Sequence, residues 1–151
     1  MTEQTAELSA ADYRQRIARL QAAMKELGFQ AVVLEPGAAM LYFTGVRWGK
    51  SERTFVVVLP VKGEPVWVLP GFEEGRAREL IHAGDDIRVW QEDESPYQRI
   101  VDALRDRGAT AGRIAIDDAA RFFVFDGIRK LAPKLRYEGA AAVLRQGGAG
   151  R

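Results

Sequence analysis

Cysteine is absent from the 151 residues, which removes disulfides, thiolate nucleophiles and thiolate metal sites together and fits a reducing compartment. The cytoplasm is the expected location. Histidine is almost absent too, since His82 stands alone. Metal-assisted hydrolysis needs several His, Asp or Glu side chains converging on one point, and a single imidazole at the end of a predicted helix suits that helix's negative terminus or solvent instead. A surplus of one charge is also missing: 22 Lys+Arg oppose 21 Asp+Glu, for a net charge of +1. Neither nucleic acid nor an anionic membrane is therefore expected as a partner. No apolar run approaches the roughly twenty residues that span a bilayer, and the opening MTEQTAELSA lacks the apolar stretch of a signal peptide. No G-x-G-x-x-G follows the first strand and no G-x-x-x-x-G-K-[ST] occurs, so nucleotide cradles are unsupported.

What the chain does contain is enough apolar sequence for one domain with a real core. Ser9 with Asp12 three residues on resembles a capping box, and Tyr13, Ile17, Leu20, Met24 and Leu27 then recur at helical spacing up to Gly28. Residues 30–34 read as a strand ended by Pro36-Gly37. Residues 54–60 and 65–69 flank Val61-Lys62-Gly63-Glu64 as an antiparallel hairpin. Helices are predicted over 72–82, 96–107, 119–131 and 140–146, the third with Phe122, Phe123, Phe125, Ile128 and Leu131 as its packing face; strands are predicted over 86–90, 113–116 and 135–138. The result is an α/β domain, a mixed six-stranded sheet with helices on both faces. Polar residues 1–10 are expected to be a flexible N-terminus, 11–139 the folded domain, and 140–151 a truncated linker helix with a Gly-rich tail.

Paired carboxylates offer little chemistry. Neighbours on a strand point to opposite faces, so neither Asp85-Asp86 nor Asp117-Asp118 presents two carboxylates to one ion. Asp117-Asp118, just after a strand, reads as an N-cap and turn. The stretch that stands out is residues 35–60. Tyr42-Phe43-Thr44-Gly45 looks like a short helical turn closing on glycine, and 54–59 like a buried strand; between them lies Val46-Arg47-Trp48-Gly49-Lys50-Ser51-Glu52-Arg53. Trp48 is either a lid over local apolar surface or a contact residue. Arg47, Trp48, Lys50, Glu52 and Arg53 make a loop able to offer guanidinium forks and an aromatic face to a carboxylate or peptide. No catalytic residue and no metal ligand is assigned.

The Tyr42-Phe43-Thr44-Gly45 turn before a polar loop and an apolar strand resembles the N-terminal domain of the creatinase, prolidase and aminopeptidase P enzymes. Tyr13-Arg16-Ile17-Leu20 with Gly28, the strand Ala31-Val32-Val33-Leu34 and Ala142-Val143-Leu144-Arg145 resemble further parts of it. The resemblance implies a ribonuclease H-like α/β fold, a share in a homodimer, and a loop that reaches a neighbouring active site and restricts substrate size. Chemistry in that family belongs to a following pita-bread domain holding two divalent metal ions, manganese the expected identity. Those ligands have no counterpart in this sequence, so the chain alone is expected to be inactive. By the same resemblance Arg47, Trp48 and Arg53 are the candidates to gate the substrate, an Xaa-Pro peptide or a creatine-like carboxylate. Two other readings stay open: a free-standing protein- or peptide-binding module, and an unrelated small enzyme using a carboxylate pair.

Overall fold

A computed structural model describes residues 8–149, so the expected flexibility of the first ten residues and the end of the Gly-rich tail fall largely outside it. Helix α1 (Ala10–Leu27) starts on the predicted capping box: Ser9 Oγ accepts the Asp12 amide at 3.2 Å, and Asp12 Oδ2 accepts the Ser9 amide at 2.8 Å. The Ser9 amide and hydroxyl, both donating to Asp12 Oδ2, hold that carboxyl below its usual range. It stops at Gly28, whose positive φ of 83° suits glycine.

Six strands follow: β1 (Phe29–Leu34), β2 (Val56–Pro60), β3 (Val66–Pro70), β4 (Asp86–Trp90), β5 (Arg113–Ile116) and β6 (Arg136–Gly139). Their order across the sheet is β4-β3-β2-β1-β5-β6. The pairs β1–β2 and β2–β3 are antiparallel, and the other three are parallel. Because β2 and β3 are buried at every position and β1 at all but Gln30, no alternation of polar residues marks either face. Helices cover both. On one side α1, α2 (Ala38–Thr44) and α6 (Ala141–Gln146) enclose a core with Leu20, Met24, Phe43 and Trp67. On the other, α4 (Pro96–Asp106) and α5 (Phe122–Leu131) enclose Val33, Val58, Trp90, Ile100 and Ile128. The remaining helix, α3 (Glu74–Leu80), follows a 3-10 turn at Gly71–Glu73.

Several predicted boundaries move for physical reasons. The turn at Tyr42 is the end of a two-turn helix. Strand β2 starts at Val56 because the carbonyl of Thr54 is taken by the Trp90 indole at 3.0 Å. Helix α5 starts at Phe122, not residue 119, since Asp117 first closes a turn onto the amides of Ala119 and Ala120. Its expected packing face is also rotated. Val124 and Ile128 are buried, while Phe122, Phe123 and Leu131 are exposed. Gly127 sets that rotation by lying against the Tyr97 ring of α4, which a Cβ there would meet at 2.6 Å. Near the end of the described chain, Gly147 packs on Leu20 of α1.

Candidate functional site

The loop between α2 and β2 is fixed at both ends. Gly45 closes α2 with φ 78°, its backbone so close to Tyr13 that a Cβ would meet the ring at 2.8 Å. Arg16 reaches over from α1, donating Nη1 to the Tyr42 carbonyl at 2.7 Å with its guanidinium 4.0 Å from the Tyr42 ring centre. Thr44 Oγ1 donates to the Met40 carbonyl at 2.6 Å and accepts the Val46 amide at 3.2 Å. The chain therefore leaves the helix in one direction. At the far end Thr54 and Phe55 are buried.

Between those anchors, three residues are tied down. Trp48 stacks on Phe55 at 4.5 Å and 23°, Phe55 stands edge-on to Trp67 at 6.2 Å, and Arg76 lies 4.8 Å over the outer face of Trp48. Trp48 is thus the outermost ring of a stack running into the core, as the lid reading has it. Lys50 donates Nζ to the Ala119 carbonyl at 3.0 Å, strapping the loop to the turn after β5. Arg53 donates Nε to Glu92 at 2.8 Å, contacts Glu52 at 3.5 Å, and lies 5.0 Å over the exposed ring of Phe72. That pairing lowers the Glu92 carboxyl and raises Arg53. Arg47 alone of the three predicted residues is exposed with no ion pair, hydrogen bond or stacked ring among the described residues.

The structure does not bring the three together on one point: Arg53 turns toward Glu92, Trp48 toward Arg76, Arg47 into solvent. A free guanidinium next in the chain to an immobilised, half-exposed indole can receive a carboxylate in its fork while an apolar group meets the indole's open edge.

One buried acidic pair escaped the sequence reading. Glu35, at the end of β1, is 1% exposed and accepts Arg121 Nε at 3.0 and 3.1 Å. Beside it Asp117, at the end of β5, is also buried, its Oδ1 accepting the Ala119 amide at 3.0 Å. Burial pushes the Asp117 carboxyl up, against the pull of backbone amides and of Lys50. The signal was Glu35 directly before Pro36-Gly37 at the end of an apolar run, but nothing local named Arg121 as its partner. Asp118 caps α6, accepting the Ala140 amide at 2.6 Å, and His82 lies exposed beyond the end of α3. Among the described residues no three His, Asp or Glu side chains converge on a point where a metal ion could be held. No helix among them is long and apolar enough to cross a membrane.

The profile of the family described as "Creatinase/Prolidase N-terminal domain" matches residues 16–147. A Schizosaccharomyces pombe protein described as an uncharacterized peptidase is 32% identical over 132 residues, which is 78% of this chain and 28% of that protein. The solved structure of dipeptidase PepE from Mycobacterium ulcerans superposes with a TM-score of 0.81 at 30% identity, covering 93% of this chain and 38% of that one. A domain of a Streptococcus thermophilus dipeptidase superposes at TM-score 0.71 over 93% of this chain and 98% of its own, and at 19% identity shows the fold alone. This chain thus spans about a quarter to two fifths of the longer relatives it matches.

Proposed function

Because the chain belongs to the creatinase/prolidase N-terminal domain family, we propose that it is the non-catalytic N-terminal domain of a cytoplasmic Xaa-Pro dipeptidase- or aminopeptidase-like metallohydrolase. On this reading it takes part in dimerisation and lends the loop from Arg47 to Arg53 to a neighbouring active site as a substrate gate. The observation that carries the gate is the unequal fate of the loop's cations: Lys50 and Arg53 are engaged, and Arg47 is free beside a stacked Trp48. Arg47 is then the residue that meets the substrate carboxylate. Trp48 supplies the wall and Arg53 holds the loop's shape.

The two divalent ions of such a hydrolase do not fit this chain's own donors, since no three of them converge among the described residues. The metals and the bond-breaking step belong to a catalytic domain, and the partner of this chain is that domain. The test is Xaa-Pro dipeptide hydrolysis with added manganese by the purified 151-residue chain. Turnover that co-elutes with the protein peak would defeat the reading, as would a genomic reading frame closing directly after Arg151, which favours a free-standing binding module. Within a polypeptide carrying the catalytic domain, Arg47→Ala is expected to raise KM by about tenfold or more.

A further inference from the structure

The two edges of the sheet are finished differently. At β4 the carbonyl of Val89 accepts Arg99 Nε at 3.1 Å, Asp86 sits between Arg88 at 3.1 Å and Arg107 at 2.8 Å, and Asp106 closes on Arg88 at 2.7 Å. An edge so occupied has little to offer another strand. At β6 the amide of Arg136 is given inward to Gly112 at 2.8 Å, and that of Ala140 to Ile116 at 2.9 Å. Backbone groups alternate in direction along a strand, so the N–H and C=O of Tyr137 point away from β5. Among the described residues no strand pairs with that side.

The same edge carries an aromatic row. The Tyr137 ring stands edge-on to Phe125 at 5.5 Å, and Phe125 to Phe122 at 6.0 Å, with Phe122 71% exposed. Gly127 faces α4 from the other flank of α5, which puts this row on the flank toward the open edge.

We propose that β6 pairs antiparallel with β6 of a second copy of this chain, Tyr137 lying opposite Tyr137 on the two-fold axis. Backbone phase and charge select that register. A residue opposite itself in a hydrogen-bonded pair must have its own amide and carbonyl free, which Tyr137 has and Arg136 and Glu138, turned toward β5, do not. With Tyr137 on the axis, Arg136 of each copy faces Glu138 of the other, two attractive pairs by symmetry. Slipping the register to set Tyr137 opposite Gly139 would bring Glu138 against Glu138. Glu138 is held in place by Arg113, which donates to both its oxygens at 2.7 and 2.8 Å, and its oxygens have lone pairs left for a second cation. The pairing also sets two Phe122–Phe125–Tyr137 rows side by side on one face. This deepens the dimerisation part of the reading above by naming the surface, and it does not depend on the loop.

Analytical ultracentrifugation of the 151-residue chain is expected to show a concentration-dependent dimer, and the Tyr137 amide is expected to exchange more slowly with solvent as dimer accumulates. Arg136→Glu and Glu138→Arg should each weaken dimerisation by about tenfold or more. Mixed in equal amounts the two variants should recover a heterodimer, because every facing pair is then opposite in sign. Circular dichroism checks that each variant folds, and Arg136→Glu, which leaves the Arg113–Glu138 pair intact, decides the matter if Glu138→Arg does not. A chain that stays monomeric at every concentration overturns the proposal. A dimer indifferent to Arg136→Glu, with Tyr137 exchange unchanged, also overturns it while leaving dimerisation itself standing.

Discussion

Asp117 and Arg47 show how unevenly single residues could be read. The carboxylates at 117 and 118 read as cap and turn, and both do bind backbone amides, but Asp118 caps α6, which lies over twenty residues on in the chain. Such partners are set by strand order, which no local pattern reveals. The loop was legible as a place. Which of its arginines is free was not, because Glu92 and Phe72, which occupy Arg53, come from other segments. Asp117 gives the prediction at this scale. Burial raises its pKa from the ordinary 3.8, so the folded protein binds that proton more tightly than the unfolded chain does. Stability therefore falls as pH rises from 3.8 through the raised folded value, and is level above it. Asp117→Asn keeps an acceptor oxygen and removes the titration. Urea midpoints across that range should rise relative to the parent chain as pH increases, and a constant difference would show that Asp117 does not titrate there.

Among the elements, those with strong local signals lie where the sequence put them: the capping box opens α1, and β4 and β5 match their predicted ranges. Helix α5 is the instructive miss. Phe122, Phe123 and Phe125 all read as core, yet the helix leaves Phe122 and Phe123 exposed and Phe125 half-buried because Gly127 lets Tyr97 come close, a contact between two helices that periodicity does not contain. That contact makes a sharp test. Alanine for glycine inside a helix ordinarily gains about 1 kcal/mol, whereas forcing a methyl into a ring already in contact costs about 1–3 kcal/mol. With a Cβ at 2.6 Å from Tyr97 the second effect should win. Gly127→Ala is expected to lower the urea midpoint, and Tyr97→Ala in the same chain to turn the glycine substitution neutral or favourable.

For the whole molecule, the α/β class and the mixed sheet were legible, but the neighbour order of the strands was not, since β2 and β3 are buried at every position and carry no mark of which side faces which helix. One sheet separates two apolar layers, with Trp67 in one and Trp90 in the other. Every central strand contributes to both layers, so neither can melt alone. Variants keeping a single buried indole, Trp48→Phe with Trp90→Phe and Trp48→Phe with Trp67→Phe, should each show fluorescence and far-ultraviolet circular dichroism transitions at one urea midpoint. Separate transitions in either variant would mean that the layers are independent. The seat of β1, antiparallel to β2 on one side and parallel to β5 on the other, also carries a history. At about 5–20 residues per second on the ribosome, the half built of β1, β2 and β3 is complete seconds before β5 emerges. For that interval the flank of Val32 and Val33 awaiting β5 is bare, and a nascent chain in this condition is one that chaperones would shelter from its neighbours.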